Sequence, residues 1–395
     1  MIRGATLAGL ALCAALDAAA QDATVRVGIT YLRQEVEAPP VLSNLDPIPE
    51  DLGLAGAEVG LADNATTGRF LGHDYALDVR SVEPGGDLAA VAREALAGGA
   101  RLLVLDAPAE GVLAVADLPE AEGALLLNAS AEDERLRDAD CRANLLHTVP
   151  SLAMRTDALA QFLQLKRWGD LALVAGTRPE DVAYAEALRG SLAKFGLALA
   201  GEKEWAFDAD MRRNAAQEVP LFTQDLPAHD ALLVADETGD FGRYILYNAW
   251  EPRPVAGSEG LSAVTWAPVV EQWGAAQLQN RFEEAAGREM APRDYAAWAA
   301  VRAVGEAVTR TGSADAAEIR AFLLSEEFEL AGFKGRPLSF RDWNGQLRQP
   351  IALAHPRALV EMAPLEGFLH ERTDLDTLGL DAPESGCTAF RETAP

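Results

Sequence analysis

Four short runs, Arg101–Leu105, Gly123–Leu127, Leu171–Ala175 and Asp230–Ala235, are apolar almost throughout and stop at Asp106, Asn128, Gly176 and Asp236. A strand without polar alternation has both faces covered, the situation of a parallel sheet flanked by helices. Helical segments separate the runs. Asp87 can cap a helix over Leu88–Ala97, Leu152–Arg167 has helical spacing, and Pro179 suits the first turn of a helix reaching about Phe195. Strand-like stretches at Thr24–Thr30, Tyr75–Val82 and Leu197–Trp205 fill out two successive βα series. The expected fold class is α/β, with two doubly wound lobes. A length of 395 residues suits two such units better than one core.

The series breaks at Ser262–Gly312. Trp266, Val270, Trp273 and Ala276 recur at helical steps, as do Trp298, Val301, Gly305 and Val308. Two helices from 267 to about 311 are therefore expected, with Trp273 and Trp298 as packing. A further helix follows Asp315, which with Glu318 resembles a capping box. Pro337–Arg341 and Gln349–Ala354 then read as a hairpin around Asn344-Gly345.

The formal net charge of −27 disfavours nucleic acid and anionic membrane surfaces, which need a basic face. Arg3, the apolar run Gly4–Leu16 and Asp17-Ala18-Ala19-Ala20 have the order of a secretory signal peptide, assigned to residues 1–20. No later apolar run is long enough to span a bilayer. A periplasmic protein is expected. Loss of Cys13 with the signal leaves Cys141 and Cys387, and an oxidising compartment favours a disulfide between them.

Ligands of open α/β sheets bind beyond the carboxyl ends of the strands. In two facing lobes that rule gathers Tyr31, Arg33, Asp106, Asn128, Ser130, Thr177, Arg178, Asp236 and Glu237 around one cleft. The pair Asp236-Glu237 suits an amino group or the cap of a following helix. The trio Glu132-Asp133-Glu134 reads as the start of a helix rather than a metal site. The five histidines show no zinc spacing, and neither a nucleophile elbow nor a phosphate loop is present. The chain is not expected to be an enzyme.

The order of elements resembles the periplasmic solute-binding proteins of ABC transporters of the branched-chain amino acid type. The segments Cys141–Thr148, Val234–Glu237, Pro252–Gly257, Glu271–Ala275, Asp294–Trp298 and Glu366–His370 resemble a subfamily tied to catabolism dependent on pyrroloquinoline quinone (PQQ). The resemblance implies a type I periplasmic binding protein fold whose lobes are joined by three crossovers, near His147–Pro150, Leu261–Pro268 and Gly332–Pro337. Lobe 1 would comprise 21–149 plus 263–333, and lobe 2 150–262 plus 334–395. It also implies capture of a small molecule, with no catalysis and no catalytic cofactor, by a monomer that delivers to a membrane permease. A link to a PQQ-dependent dehydrogenase system is a further implied partner.

PQQ itself is the first ligand expected. A flat tricarboxylate needs guanidinium forks and an aromatic face. Arg33, Arg155 and Arg178 could supply the forks, and Tyr31 or Trp266 the face, although Trp266 fits core packing equally well. The alternative is an amino acid or an alcohol-derived carboxylate in the same fold.

Overall fold

The computed structural model describes residues 24–36, 48–205 and 211–391; the expected signal peptide lies outside them. The first βα series comprises β1 (Val25–Gln34), α1 (Leu54–Leu71), β2 (His73–Val82), α2 (Leu88–Ala97), β3 (Leu102–Asp106), α3 (Ala109–Ala116), β4 (Leu125–Asn128) and β5 (Leu145–His147). Its strands form a parallel sheet in the order β2-β1-β3-β4-β5. The second comprises α4 (Leu152–Lys166), β6 (Asp170–Ala175), α5 (Pro179–Lys194), β7 (Ala198–Glu204), α6 (Met211–Thr223), β8 (Ala231–Ala235), α7 (Gly242–Asn248) and β9 (Val255–Gly257). Its sheet is also parallel, ordered β7-β6-β8-β9. All residues of β3, β4 and β8 are buried, as their unbroken apolar runs require.

After β10 (Ser262–Val264) come α8 (Ala275–Ala286), α9 (Pro292–Thr311) and α10 (Ala316–Leu323), which join the core of the first sheet. Helix α9 lies against α1 at close range. A Cβ on Gly56 would stand 1.9 Å from the Asp294 carbonyl oxygen, and one on Gly305 would stand 2.0 Å from Asn64 Oδ1. Glycine is what allows the two backbones to approach.

The first helix of the expected pair starts later than its apolar spacing suggests. Residues 267–274 are irregular with a short 3-10 turn, and α8 begins only at Ala275. Trp273 takes a left-handed backbone (φ 56°) and is 48 % exposed, so it is not the packing residue expected. Helical steps among aromatic residues arose here in a loop, and Ala275, Leu278 and Phe282 supply the buried face of α8. Trp298 is buried as expected.

The remaining strands are β11 (Leu330–Ala331), β12 (Pro337–Phe340), β13 (Leu347–Arg348), β14 (Ile351–His355) and β15 (Ala358–Ala363). The turn at Asn344-Gly345 does reverse the chain, but β12 pairs with β13. Strand β14 instead lies between β10 and β15 in another antiparallel sheet.

This moves the third crossover. Leu338, Phe340 and Leu347 pack into the first lobe's core, whereas Ile351 and Leu353 pack into the second's. The chain therefore crosses at Gln349–Pro350, not Gly332–Pro337, and residues 334–348 pack with lobe 1. Two other changes of packing unit fall between β5 and α4 and just after β10. Gln349 joins all three. Its amide donates to the Thr148 carbonyl at 2.8 Å, and its oxygen accepts from Thr265 Oγ1 at 3.0 Å and Lys334 Nζ at 2.7 Å. Cys141 and Cys387 form a disulfide across 246 residues of chain.

Candidate functional site

A cavity of about 1050 Å³ lies between the lobes. Lobe 1 supplies Ala107–Glu110 beyond β3, Ser130–Arg135 beyond β4, and Arg293 from the first turn of α9. Lobe 2 supplies Leu152, Ala153 and Asp157 at the start of α4, one face of α5, and Glu237 beyond β8. Beyond β3, β4 and β8 the walls stand at the carboxyl ends of parallel strands, as the switch-point rule anticipates. On α5, Ala183, Ala187 and Gly190 recur at helical steps, and their small size leaves the space open.

The most concentrated polar cluster centres on Arg155, on the first turn of α4. Its guanidinium donates to Glu132 Oε2 at 2.5 Å, to Glu237 Oε2 at 2.8 Å and Oε1 at 3.2 Å, and to the Ala263 carbonyl at 3.1 Å. The same group lies 5.1 Å over the ring of Tyr184. Ser258 donates to Glu237 at 2.8 Å. Burial alone would raise Glu237, but the charge and hydrogen bonds of Arg155, with Ser258, hold its carboxyl below the usual range. Glu132 is pushed up by burial, with Glu237 adding to the shift, despite Arg155. Burial would lower Arg155, yet the two glutamates hold it well above its ordinary value. Because Glu132 belongs to lobe 1, the cluster bridges the cleft.

A second network lies on the lobe 1 side. Asp106 is fully buried and accepts from Tyr31 Oη at 2.7 Å and from Arg293 Nε at 2.7 Å. Burial, then the charge of Asp106, raises the Tyr31 phenol well above normal. Arg33 donates to the Glu50 carbonyl at 2.5 Å and stands 4.0 Å from Asp106. Tyr31, Arg33 and Asp106 thus set the position of Arg293, the member that reaches the cavity.

Several expected site residues lie elsewhere. Asn128 is buried, folding its own loop through Ser130 N, Ala131 N and the Ala131 carbonyl. Ser130 reaches the wall, but its hydroxyl bonds the Ala107 backbone. Thr177 and Arg178 are exposed and outside the lining, with Arg178 paired to Asp240 at 2.6 Å. Asp236 faces the backbone N–H groups of Asp240, Phe241 and Gly242 and acts as the cap of α7. Trp266 is 4 % exposed, stacks on Tyr295 at 4.9 Å and donates to Gln279 at 2.8 Å, so it is core and not a ligand platform.

Sequence reasoning missed other wall residues. Glu132, Asp133 and Glu134 start no α-helix; a short 3-10 turn leaves all three on the cavity. Glu134 Oε2 accepts from Ala153 N at 3.2 Å, while its buried Oε1 has no partner. Asp157, Ser191 and Lys194 form a further wall network, with Asp157 accepting from Ser191 at 2.5 Å and Lys194 at 3.0 Å.

Carboxylates outnumber cations on the walls nine to three, and no aromatic side chain lines the cavity among the described residues. The three cations are already paired: Arg135 with Glu110, Lys194 with Asp157, and Arg293 with Asp106.

Solved structures share this fold. A branched-chain amino acid ABC transporter periplasmic ligand-binding protein from Burkholderia xenovorans superposes with a TM-score of 0.68 at 14% identity, over 93% of this chain and 100% of that one. An amino acid ABC transporter substrate-binding protein from Pseudomonas fluorescens gives 0.65 at 15% identity, over 92% and 99%. A solute-binding protein of an ABC transporter from R. palustris, in complex with benzoate, gives 0.61 at 12% identity, over 92% and 99%. No protein-family model matches the chain, and no curated protein matches it. The fold is that of the type I periplasmic binding proteins.

Proposed function

We propose that the protein is a periplasmic solute-binding component of an ABC transporter, and that it captures a small ligand carrying a protonated nitrogen, of the amino acid type. The observation that carries this reading is the inter-lobe cavity itself, walled by strand ends of both sheets and dominated by carboxylates. A positive or zwitterionic ligand gains from that field, and an orphaned acceptor such as Glu134 Oε1 gains a donor. The similar transporter proteins support capture and handover to a permease rather than catalysis.

PQQ fits these walls less well. Its three carboxylates would meet cations that are already neutralised, and its rings would meet no aromatic face. Benzoate binding by the R. palustris protein keeps a small carboxylate within the chemistry open to this fold.

A thermal-shift screen of the purified protein against neutral and basic amino acids, benzoate and PQQ tests the reading. A ligand at a hundred times its Kd should add about 2.7 kcal/mol of apparent stability. Stabilisation by an amino acid but not by PQQ is expected. Stabilisation by PQQ alone, or by none of these compounds, overturns the proposed ligand class.

A further inference from the structure

The chain does not stop at the edge of lobe 2. After β15 it passes along α4, where Leu365 N donates to Gln161 Oε1 at 3.0 Å. It then turns across the cleft. Gly379 N donates to Asp157 at 2.8 Å, and the Gly379 carbonyl accepts from Lys194 at 2.8 Å. Both partners are lobe 2 wall residues, and Gly379, Leu380 and Glu384 are themselves on the cavity. A few residues later the chain is on lobe 1. Ser385 Oγ donates to the Arg137 carbonyl at 2.9 Å, Gly386 N to Asp138 at 2.5 Å, and Cys387 is bonded to Cys141. Arg320 then covers Phe390 at 5.5 Å.

We propose that residues 378–387 form a third wall of the ligand cavity and a fourth link between the lobes, held by the Cys141–Cys387 disulfide. Three backbone crossovers on one side make a hinge, and any further link beside them restricts its rotation. The strap, bonded to lobe 2 at Gly379 and covalently to lobe 1 at Cys387, runs along the cavity beside these crossovers, with Gly379 next to Ser151 and the Leu378 and Leu380 carbonyls accepting from Arg341. It limits how far the lobes rotate apart, and Leu380 and Glu384 on it bound the space a ligand fills. The consequence for ligands rests on the proposed function, but the strap itself can be tested without any ligand.

Hydrogen exchange and small-angle scattering on the whole unliganded chain, wild type against the Cys141→Ser/Cys387→Ser double variant, provide that test. Exchange at Gly379 and Gly386 should quicken by roughly a hundredfold or more as the strap opens locally, with β3 and β8 still protected. The radius of gyration should rise. Wild type reduced in its folded state by a phosphine gives the same readout where the double variant does not accumulate. Unchanged protection at Gly379 with an unchanged radius overturns the proposal. Loss of protection throughout β3 and β8 also overturns it, because the bond would then support the core and not the wall. A failed ligand screen leaves either result standing.

Discussion

Arg155 and Arg341 are both largely withdrawn from solvent, yet their surroundings differ in kind. Arg341 is 1 % exposed and donates to Asp376 at 2.9 Å and to the carbonyls of Leu378 and Leu380 at 2.7 and 3.1 Å. Those carbonyls are fixed by the course of the strap. Burial lowers Arg341 from its ordinary value even with Asp376 beside it. Arg155 is held mainly by two glutamate side chains on opposite lobes, both of which line the cavity. Backbone partners make a guanidinium a structural rivet, whereas carboxylate side chains can exchange it for a ligand's charge. The difference separates scaffold from site more sharply than burial does.

Trp266→Ala sets the scale for a purely structural loss. Removing a stacked, buried indole should cost about 3–5 kcal/mol in a denaturant titration, with the affinity of any identified ligand retained by the folded fraction. A loss of affinity without loss of stability would return Trp266 to the site. Arg341→Ala should follow at about 3–4 kcal/mol, since it leaves Asp376 and strap carbonyls underbonded. Arg155→Ala should cost about 1–3 kcal/mol, because its carboxylates can reach water in the cleft. It should also strengthen binding of a protonated ligand about tenfold by calorimetry, because Glu132 and Glu237 lose the internal cation that competes with it. If Arg155→Ala destabilises as much as Arg341→Ala and leaves binding unchanged, the distinction between rivet and site fails.

The smallest effect concerns Asp181, which accepts from Glu237 N at 2.7 Å and so supports the cluster from behind. Burial, then the neighbouring Asp236, pushes its carboxyl up to about 6. The folded form therefore binds this proton more tightly than the unfolded chain does. The stability it contributes is full below the unfolded value near 3.8 and is lost as pH rises through about 6. Asp181→Asn should be more stable than wild type by about 1–2 kcal/mol at pH 7.5, with the advantage gone near pH 4. Parallel denaturation curves at the two pH values check this; an advantage independent of pH would remove the charge as its cause.

The two parallel sheets were legible because unbroken apolar runs have few places to go. Of the residues the strand-end rule gathered, Ser130 and Glu237 stand on the cavity wall, while Arg155, a candidate from its place after the first crossover, lies behind Glu132 and Glu237. The rule could not tell which strand-end side chains face the cavity and which, like Asn128 and Asp236, fold their own loops. Arg293 was hidden because the first turn of a helix remote in sequence carries it beside Asp106. The small residues Ala183, Ala187 and Gly190 were a visible signal, since a helix face of small side chains marks a place where something else must fit. Trp266 misled because a loop after a crossover can turn an aromatic inward as well as toward the cleft.

Gln349 carries one more implication. Gln349 sits at the third passage and its side-chain amide bonds Thr148 at the first and Thr265 at the second, so the polypeptide's three passages between lobes share one set of hydrogen bonds. Displacing any one passage strips partners from the other two. Relative motion of the lobes is then confined to rotations that leave this knot intact, and the protein swings as on a single pin rather than flexing at three separate joints.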